Sequence, residues 1–431
     1  MASNAKNLAE LLNQDSTVAA GDVADGSITT AKLADDAVTS AKLGASAVDA
    51  TALASNAVTT AKVADSAVTT VKTSGLNLGR RNLAINGGMQ VAQRNTSQTG
   101  ISSGGSYHTL DRWRLAIDTS GTWTQSQEAL AVTDPPFVQH GHKTALKMDC
   151  TTANGSLSAG SYIQLQYRIE GFDLQRLRTG SSSPAPMTIS FWIKATKTGT
   201  NVVNVFQDEG GKQVAFPYTI SASNTWEHKT ITIPGNTHDA INNDNTRGRQ
   251  ITWYLSAGSN RTSGSLQSTW QNYATGDEAV GQVNHSDSTS NNFHITGVQI
   301  EQGSLATDFE FRPFGEELIM CKRYYEKSFP YATAPSNSGS GTDFSTYQGI
   351  RWVFQSNNNS YQSHHRWDVE KRTTPSVTPY GNSSGYWYSP STNWHNHNDI
   401  AHFSSIGFLP RQQASGGVIE VYGHYGVDAE V

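Results

Sequence analysis

The chain has 431 residues and a formal net charge of -5, from 31 lysines and arginines against 36 aspartates and glutamates. Because it carries no run of basic residues, the sequence argues against nucleic-acid binding. No apolar stretch approaches the roughly 18 residues of a bilayer-spanning helix, and the N-terminus lacks a secretory pattern, so we expect no membrane insertion. The two cysteines, Cys150 and Cys321, are predicted to be free buried thiols, with a disulfide as the alternative.

The first predicted element is a short helix within residues 1–15, where Leu8, Leu11 and Leu12 share one face. A helix of about three turns needs a packing partner to persist in water. We therefore interpret it as an attachment element that docks to a larger assembly.

Residues 16–76 contain a gapless ten-residue repeat, seen in GSITTAKLAD from Gly26 and NAVTTAKVAD from Asn56. A branched apolar residue recurs at every fifth position, which forms no single stripe on a helix or a strand. One copy buries little apolar area, so we predict a shaft in which identical chains wrap around a common axis. A single-chain solenoid and a flexible linker are the alternatives. The predicted shaft core is Ile28, Leu33, Val38, Leu43, Val48, Leu53, Val58 and Val63.

The remainder of the chain predicts a mainly β fold. Residues 77–315 contain apolar segments such as MTISFWIKA from Met187, separated by Gly, Asn and Ser turns, which is typical of a β-sandwich. A connecting helix is predicted over 316–328, and a second β-rich domain over 329–431. Trp192, Trp253 and Trp352 lie inside strand patterns and are predicted to be packing residues.

Several phrases resemble tail fibres of tailed bacteriophages. The decapeptide array resembles phage tail repeats. RRNLAINGGMQVAQRNTSQ from Arg80, YHTLDRWRL from Tyr107 and GVQIEQGSLATDFEFRPFGEEL from Gly297 resemble the borders of a carbohydrate-module-like jelly roll found in such fibres. GHYGVDAEV from Gly423 is similar to the terminal phrase of many fibre tips.

The resemblance implies an elongated homotrimeric receptor-binding fibre, assembled in the host cytoplasm and carried on the virion. Its N-terminus would join a virion tail or adaptor protein, and a distal domain would bind a host surface glycan or protein. A tailspike-like glycan hydrolase and a purely structural tail or collar component are the alternatives.

A glycan hydrolase needs two carboxyl groups that flank the scissile bond. No sequence motif selects such a pair, and Asp111 beside Arg112 and Arg114 predicts an ion pair instead. We therefore predict no enzymatic activity. The candidate carboxylates are Asp111, Glu170, Asp173, Glu301, Glu310 and Asp368.

The segment YWYSPSTNWHNH combines aromatic rings, which stack on sugars, with groups that hydrogen-bond hydroxyls. The predicted receptor contacts are Tyr386, Trp387, Tyr388, Trp394 and Asn396. In a trimer, His395 and His397 would place six imidazoles around one axis, a set suited to a transition-metal ion. Histidines that face solvent or glycan are the alternative, and no other cofactor is expected.

Overall fold

The computed structural model describes residues 80–337, 349–355, 360–361, 364–381, 387–389, 393–395, 400–412 and 418–431, with a few isolated positions before residue 38. The predicted N-terminal helix lies outside these residues. So does the predicted shaft core except Leu33, which is exposed in the single chain. From Arg80 onward the described residues belong to one compact unit.

Two antiparallel sheets form a β-sandwich, in agreement with the apolar alternation of the sequence. In order of pairing, the first sheet contains β1 (Ser97–Ile101), β4 (Thr122–Ala129), β5 (Thr144–Thr152), β13 (Asn292–Gln302), β7 (Met187–Ala195) and β10 (Glu227–Ile233). The second contains β12 (Gln271–Asn272), β9 (Lys212–Ile220), β8 (Gly199–Gln207), β11 (Arg247–Ala257), β6 (Tyr162–Glu170), β3 (Trp113–Asp118) and β2 (Gly104–Ser106).

The sandwich core is built from alternate residues of these strands. In β7 the residues Ile189 and Phe191 enter the core, and Phe191 meets Trp253 of the second sheet edge to face at 5.7 Å. Trp192 and Trp253 are buried, as predicted. Both cysteines are free and buried, which confirms the prediction that they are free buried thiols.

Four helices lie in the described residues, namely α1 (Pro135–His140), α2 (Gly171–Leu174), α3 (Ser259–Thr262) and α4 (Phe314–Lys322). None of these has the length and apolar character needed to cross a membrane. Helix α4 lies where the connecting helix is predicted, but it begins at Phe314 and ends at Lys322, not at residue 328. The reason is that Tyr325–Lys327 form a strand that pairs with residues 426–428.

The C-terminal block is built around one long strand. β23 (Val418–Asp428) pairs with β14 (Tyr325–Lys327), β15 (Ile350–Gln355), β18 (Ser376–Tyr380) and β19 (Trp387–Ser389), and β19 pairs with β20 (Asn393–His395). A smaller sheet contains β16 (Ser360–Tyr361), β22 (Gly407–Gln412), β17 (His365–Arg366) and β21 (Ile400–Ser404). The C-terminal block has a separate core of buried aromatic and aliphatic residues, namely Trp352, Trp367, Trp387, Phe408, Val421, Tyr425 and Val427.

A group of ion pairs, buried except at Asp428, joins the C-terminal block to the sandwich, and we call it the junction cluster: Arg94, Asp111, Arg112, Asp428 and Glu430. Arg112 pairs with Glu430, and both side chains are almost fully buried. Arg94 lies 2.9 Å from Asp428 and 3.4 Å from both Asp111 and Glu430. Burial raises the pKa of Asp111 to about 7. The phrases that begin at Arg80, Tyr107 and Gly423 therefore contribute residues to the same cluster.

Candidate functional site

The predicted receptor segment contains a β-hairpin, in which Trp387 is opposite His395 and Tyr388 is opposite Trp394. Trp387 is only 4% exposed and stacks on Trp352 with ring centroids 4.2 Å apart. Its Nε1–H donates to the carbonyl oxygen of His424 at 3.2 Å. The Trp387 ring is therefore part of the core, which argues against the predicted receptor contact. Trp352 is buried, as predicted.

The other predicted contacts stay predictions. Tyr386, Asn396 and His397 lie outside the described residues. Tyr388, Trp394 and His395 are described through their backbone pairing alone. Among the described side chains, no group of three His, Cys, Asp or Glu is arranged to hold a metal ion, so the proposed metal site at His395 and His397 is also still a prediction.

A different site lies where the sandwich meets the C-terminal block. A cavity of about 350 Å³, which we call the tyrosine cleft, is open between them. The strands explain its lining, since Tyr107 and His108 directly follow β2, and alternate residues of β18 share one face. The cleft is lined by Arg94, Gln98, Tyr107, His108, Tyr325, Pro335, Ser376, Thr378, Tyr380, Gly426 and Asp428.

The tyrosine rings are held in place by their neighbours. The Arg94 guanidinium lies 3.8 Å from the ring centroid of Tyr325 and 5.3 Å from that of Tyr107. Gly426 lies beside Tyr325 and Tyr380, and a Cβ there would be 3.2 Å from both the Tyr325 hydroxyl and the Tyr380 ring. A side chain at residue 426 would thus crowd the cleft, which the glycine keeps open.

Burial shifts the pKa values of several titratable groups in the cleft. Burial raises the pKa of Tyr107 to about 12 and also raises the pKa of Tyr380, so both phenols keep their protons. Burial and the charge of Arg94 lower the pKa of His108. Asp428 accepts hydrogen bonds from Arg94 and from the backbone N–H of Glu430 at 3.0 Å. Aromatic faces, hydroxyls and a fixed carboxylate together suit a polyhydroxylated ligand.

The candidate catalytic carboxylates have framework contacts. Asp111 is fully buried and accepts hydrogen bonds from the Gln93 amide at 2.5 Å and from Arg94. Glu170 forms a bidentate pair with Arg323 at 2.8 and 2.9 Å.

The remaining candidates are dispersed. Glu301 accepts from Thr307, Glu310 accepts from the backbone of residues 81 and 82, and Asp368 pairs with Lys322. Asp173 lines a separate cavity of about 530 Å³. Asp428 is the only acidic residue among the described residues that line the tyrosine cleft.

A larger cavity, about 550 Å³, is lined by Arg168, Arg247 and Arg372 with Asp208 and Glu209. The guanidinium groups are already satisfied. Arg247 forms a bidentate pair with Asp208, Arg168 donates to Gln166, Gln250 and the carbonyl of Val431, and Arg372 donates to three carbonyl oxygens. Among the described residues that line this cavity none is aromatic, so it suits a sugar less well than the tyrosine cleft does.

No protein-family model matches this chain, and no curated protein matches it. Similar solved structures include the enzymatically active domain of tailspike protein 4 from bacteriophage CBA120, at 14% identity and a TM-score of 0.24, covering 44% of this chain and 19% of that chain. This chain thus spans about a fifth of that tailspike structure.

Two carbohydrate-binding modules are also similar. TmCBM61, in complex with β-1,4-galactotriose, has 13% identity and a TM-score of 0.26, with 52% of this chain and 99% of that chain covered. The family 11 module of a cellulosomal cellulase of Clostridium thermocellum has 12% identity and a TM-score of 0.23, with 48% and 99% covered. Values this low carry no information about what this chain binds.

Sequence reasoning missed the tyrosine cleft, although it noted two of the phrases that build it. Tyr107 and His108 begin YHTLDRWRL, while Gly426 and Asp428 belong to GHYGVDAEV. The first phrase resembles a jelly-roll border and the second the terminus of fibre tips, and no local pattern indicates that β23 brings them together. Tyr107 in YHTLDRWRL is the one tyrosine of these two phrases among the described residues that line the cleft.

Proposed function

We propose that the protein is a tail-fibre subunit that attaches a virion to its bacterial host by binding a surface glycan in the tyrosine cleft. The observation that carries the proposal is the convergence of Tyr107, Tyr325 and Tyr380 with Asp428 in one open cavity. Aromatic faces stack on sugar rings, and neutral phenols both donate to and accept from hydroxyls. In this proposal the protein binds a glycan of the host surface.

The fibre assignment is supported by the sequence. The ten-residue repeat and the phrases similar to phage fibres favour a trimer whose N-terminus docks to a tail or adaptor protein. We expect a solution mass three times the chain mass of 46.5 kDa by light scattering. A monomer at micromolar concentration would contradict the threefold shaft.

The cleft is tested by replacing Tyr380, which is partly buried and lies at the end of β18. Tyr380→Ala should weaken binding to purified host surface polysaccharide by about 5- to 30-fold, since a stacking ring and a hydroxyl are lost. Tyr273→Ala is the matched control, because Tyr273 is 45% exposed and does not line the cleft. Equal binding by both variants would contradict the cleft assignment.

The glycan hydrolase is the second candidate function, and the same material tests it. We expect no new reducing ends when the protein is incubated with the polysaccharide. Accumulation of reducing ends, abolished by Asp428→Asn while binding persists, would replace the attachment role with a catalytic one.

A further inference from the structure

A second polar cavity, which we call the histidine pocket, lies on the outer face of the first sheet and measures about 250 Å³. The core residues Ile189 and Phe191 alternate in β7 with Ser190 and Trp192, which therefore project away from the core. The pocket shares no lining residue with the tyrosine cleft. The residues that matter for its chemistry are His140, His142, Ser190, Trp192, His228 and Asp308.

His142 is the most informative member of the pocket. Its side chain is buried, at 1% exposure, and neither ring nitrogen has a hydrogen-bond partner. The rings of Phe309 and Phe311 hold the imidazole, with centroids at 4.5 and 5.0 Å. Gly297 makes room for it, since a Cβ there would lie 2.6 Å from Nε2. Leaving a buried polar group unpaired is unfavourable, and an occupant of the cavity would supply the partner that His142 lacks among the described residues.

The charge state of the pocket restricts that occupant. Burial and the neighbouring His140 and His228 lower the pKa of His142 to about 3. Partial burial and His140 also lower the pKa of His228. Both imidazoles are therefore uncharged at neutral pH, and each offers one donor and one acceptor. His142 and His228 therefore bring no positive charge to the pocket, which does not favour an anion.

The spacing of the rings argues against a metal ion. The ring centroid of His140 lies 6.2 Å from those of His142 and His228. Two imidazoles on one tetrahedral zinc have centroids about 5 Å apart, given zinc–nitrogen bonds of about 2.0 to 2.1 Å. Within the part of the chain that the structure describes, these residues do not form a metal-holding group. An uncharged organic ligand with several hydroxyl groups fits the remaining requirements.

We propose that the histidine pocket is a second glycan site, which binds a single uncharged sugar residue. Hydroxyl groups of the sugar hydrogen-bond to His142, His228 and Ser190, and Trp192 forms the apolar wall. This site goes beyond the proposed attachment role of the tyrosine cleft, and neither site depends on the other. A fibre with two separate sugar sites would engage a polysaccharide with more than one contact per chain.

The test is calorimetric titration of the full-length protein with the methyl glycosides of glucose, galactose, mannose and N-acetylglucosamine. We expect saturable millimolar binding of at least one glycoside. His228→Ala and Ser190→Ala should each weaken it about tenfold. His228 is solvent-exposed, and Ser190→Ala removes a single hydroxyl, so at least one of the two variants will fold. His238→Ala, at an exposed histidine outside the pocket, is the matched control and should bind as the wild type does.

Tyr380→Ala separates the two sites, because it should leave this binding unchanged while it weakens polysaccharide binding. Absence of saturable binding by all four glycosides would mean that the cavity holds only water, and it would overturn the proposal. Binding that survives both pocket substitutions, or that is lost only in Tyr380→Ala, would overturn it as well.

Discussion

Glu430→Gln is expected to lower the free energy of unfolding by about 3 kcal/mol, because it leaves the Arg112 guanidinium buried without its charged partner. Arg112 is 1% exposed, and its only carboxylate partner in the described residues is Glu430. Tyr324, whose ring centroid lies 3.5 Å from the guanidinium, cannot replace a full negative charge. Thermal and urea unfolding of the purified protein measure the loss.

Asp428→Asn is the matched control for the junction cluster. Asp428 is two residues away and pairs with Arg94, but its side chain is 42% exposed and Arg94 keeps two other carboxylates. Asp428→Asn should therefore lower the free energy of unfolding by less than about 1 kcal/mol. If both substitutions lower the free energy of unfolding equally, the junction cluster does not hold the sandwich and the C-terminal block together.

Trp387→Ala is expected to destabilise the C-terminal block by about 3 to 5 kcal/mol, since it removes a large buried ring and leaves a cavity beside Trp352. The stacked pair and the Nε1–H bond to His424 are both lost. Melting followed by tryptophan fluorescence and circular dichroism measures the change. Trp387→Phe is the control, because it keeps an aromatic ring and should lose less than half as much.

The same variant distinguishes a core residue from a receptor contact. Trp387→Ala protein that is still folded should bind host polysaccharide as the wild type does. Unchanged melting together with lost binding would restore Trp387 as a contact and contradict its place in the core.

The sandwich could be predicted because its strands carry their own signal. MTISFWIKA alternates between core and outer face, and the structure has β7 at those residues. Helix α4 was predicted from its apolar spacing, but its end depended on pairing of Tyr325–Lys327 with β23, about 100 residues later in the chain. The local spacing of apolar residues determines which element forms, whereas pairing with distant residues determines where that element ends.

Trp387 shows the same limit at a candidate site. Its strand has only three residues, too few to show alternation, and lies in turn-rich sequence. Its burial results from Tyr388 pairing with Tyr422, a contact that no local pattern encodes. The tyrosine cleft likewise gathers Gln98, Tyr107, Tyr325 and Tyr380 from separate strands and loops. Composition predicts that aromatic and polar residues contact a receptor. Which of them lie together could be determined only from the fold.

The most direct test of the glycan cleft is hydrogen–deuterium exchange with and without host surface polysaccharide. We expect slower exchange in residues 104–108 and 376–380, which border the tyrosine cleft, and loss of that protection in Tyr380→Ala. Protection confined to residues 386–397, with no change at the cleft, would contradict it and return the receptor site to the hairpin.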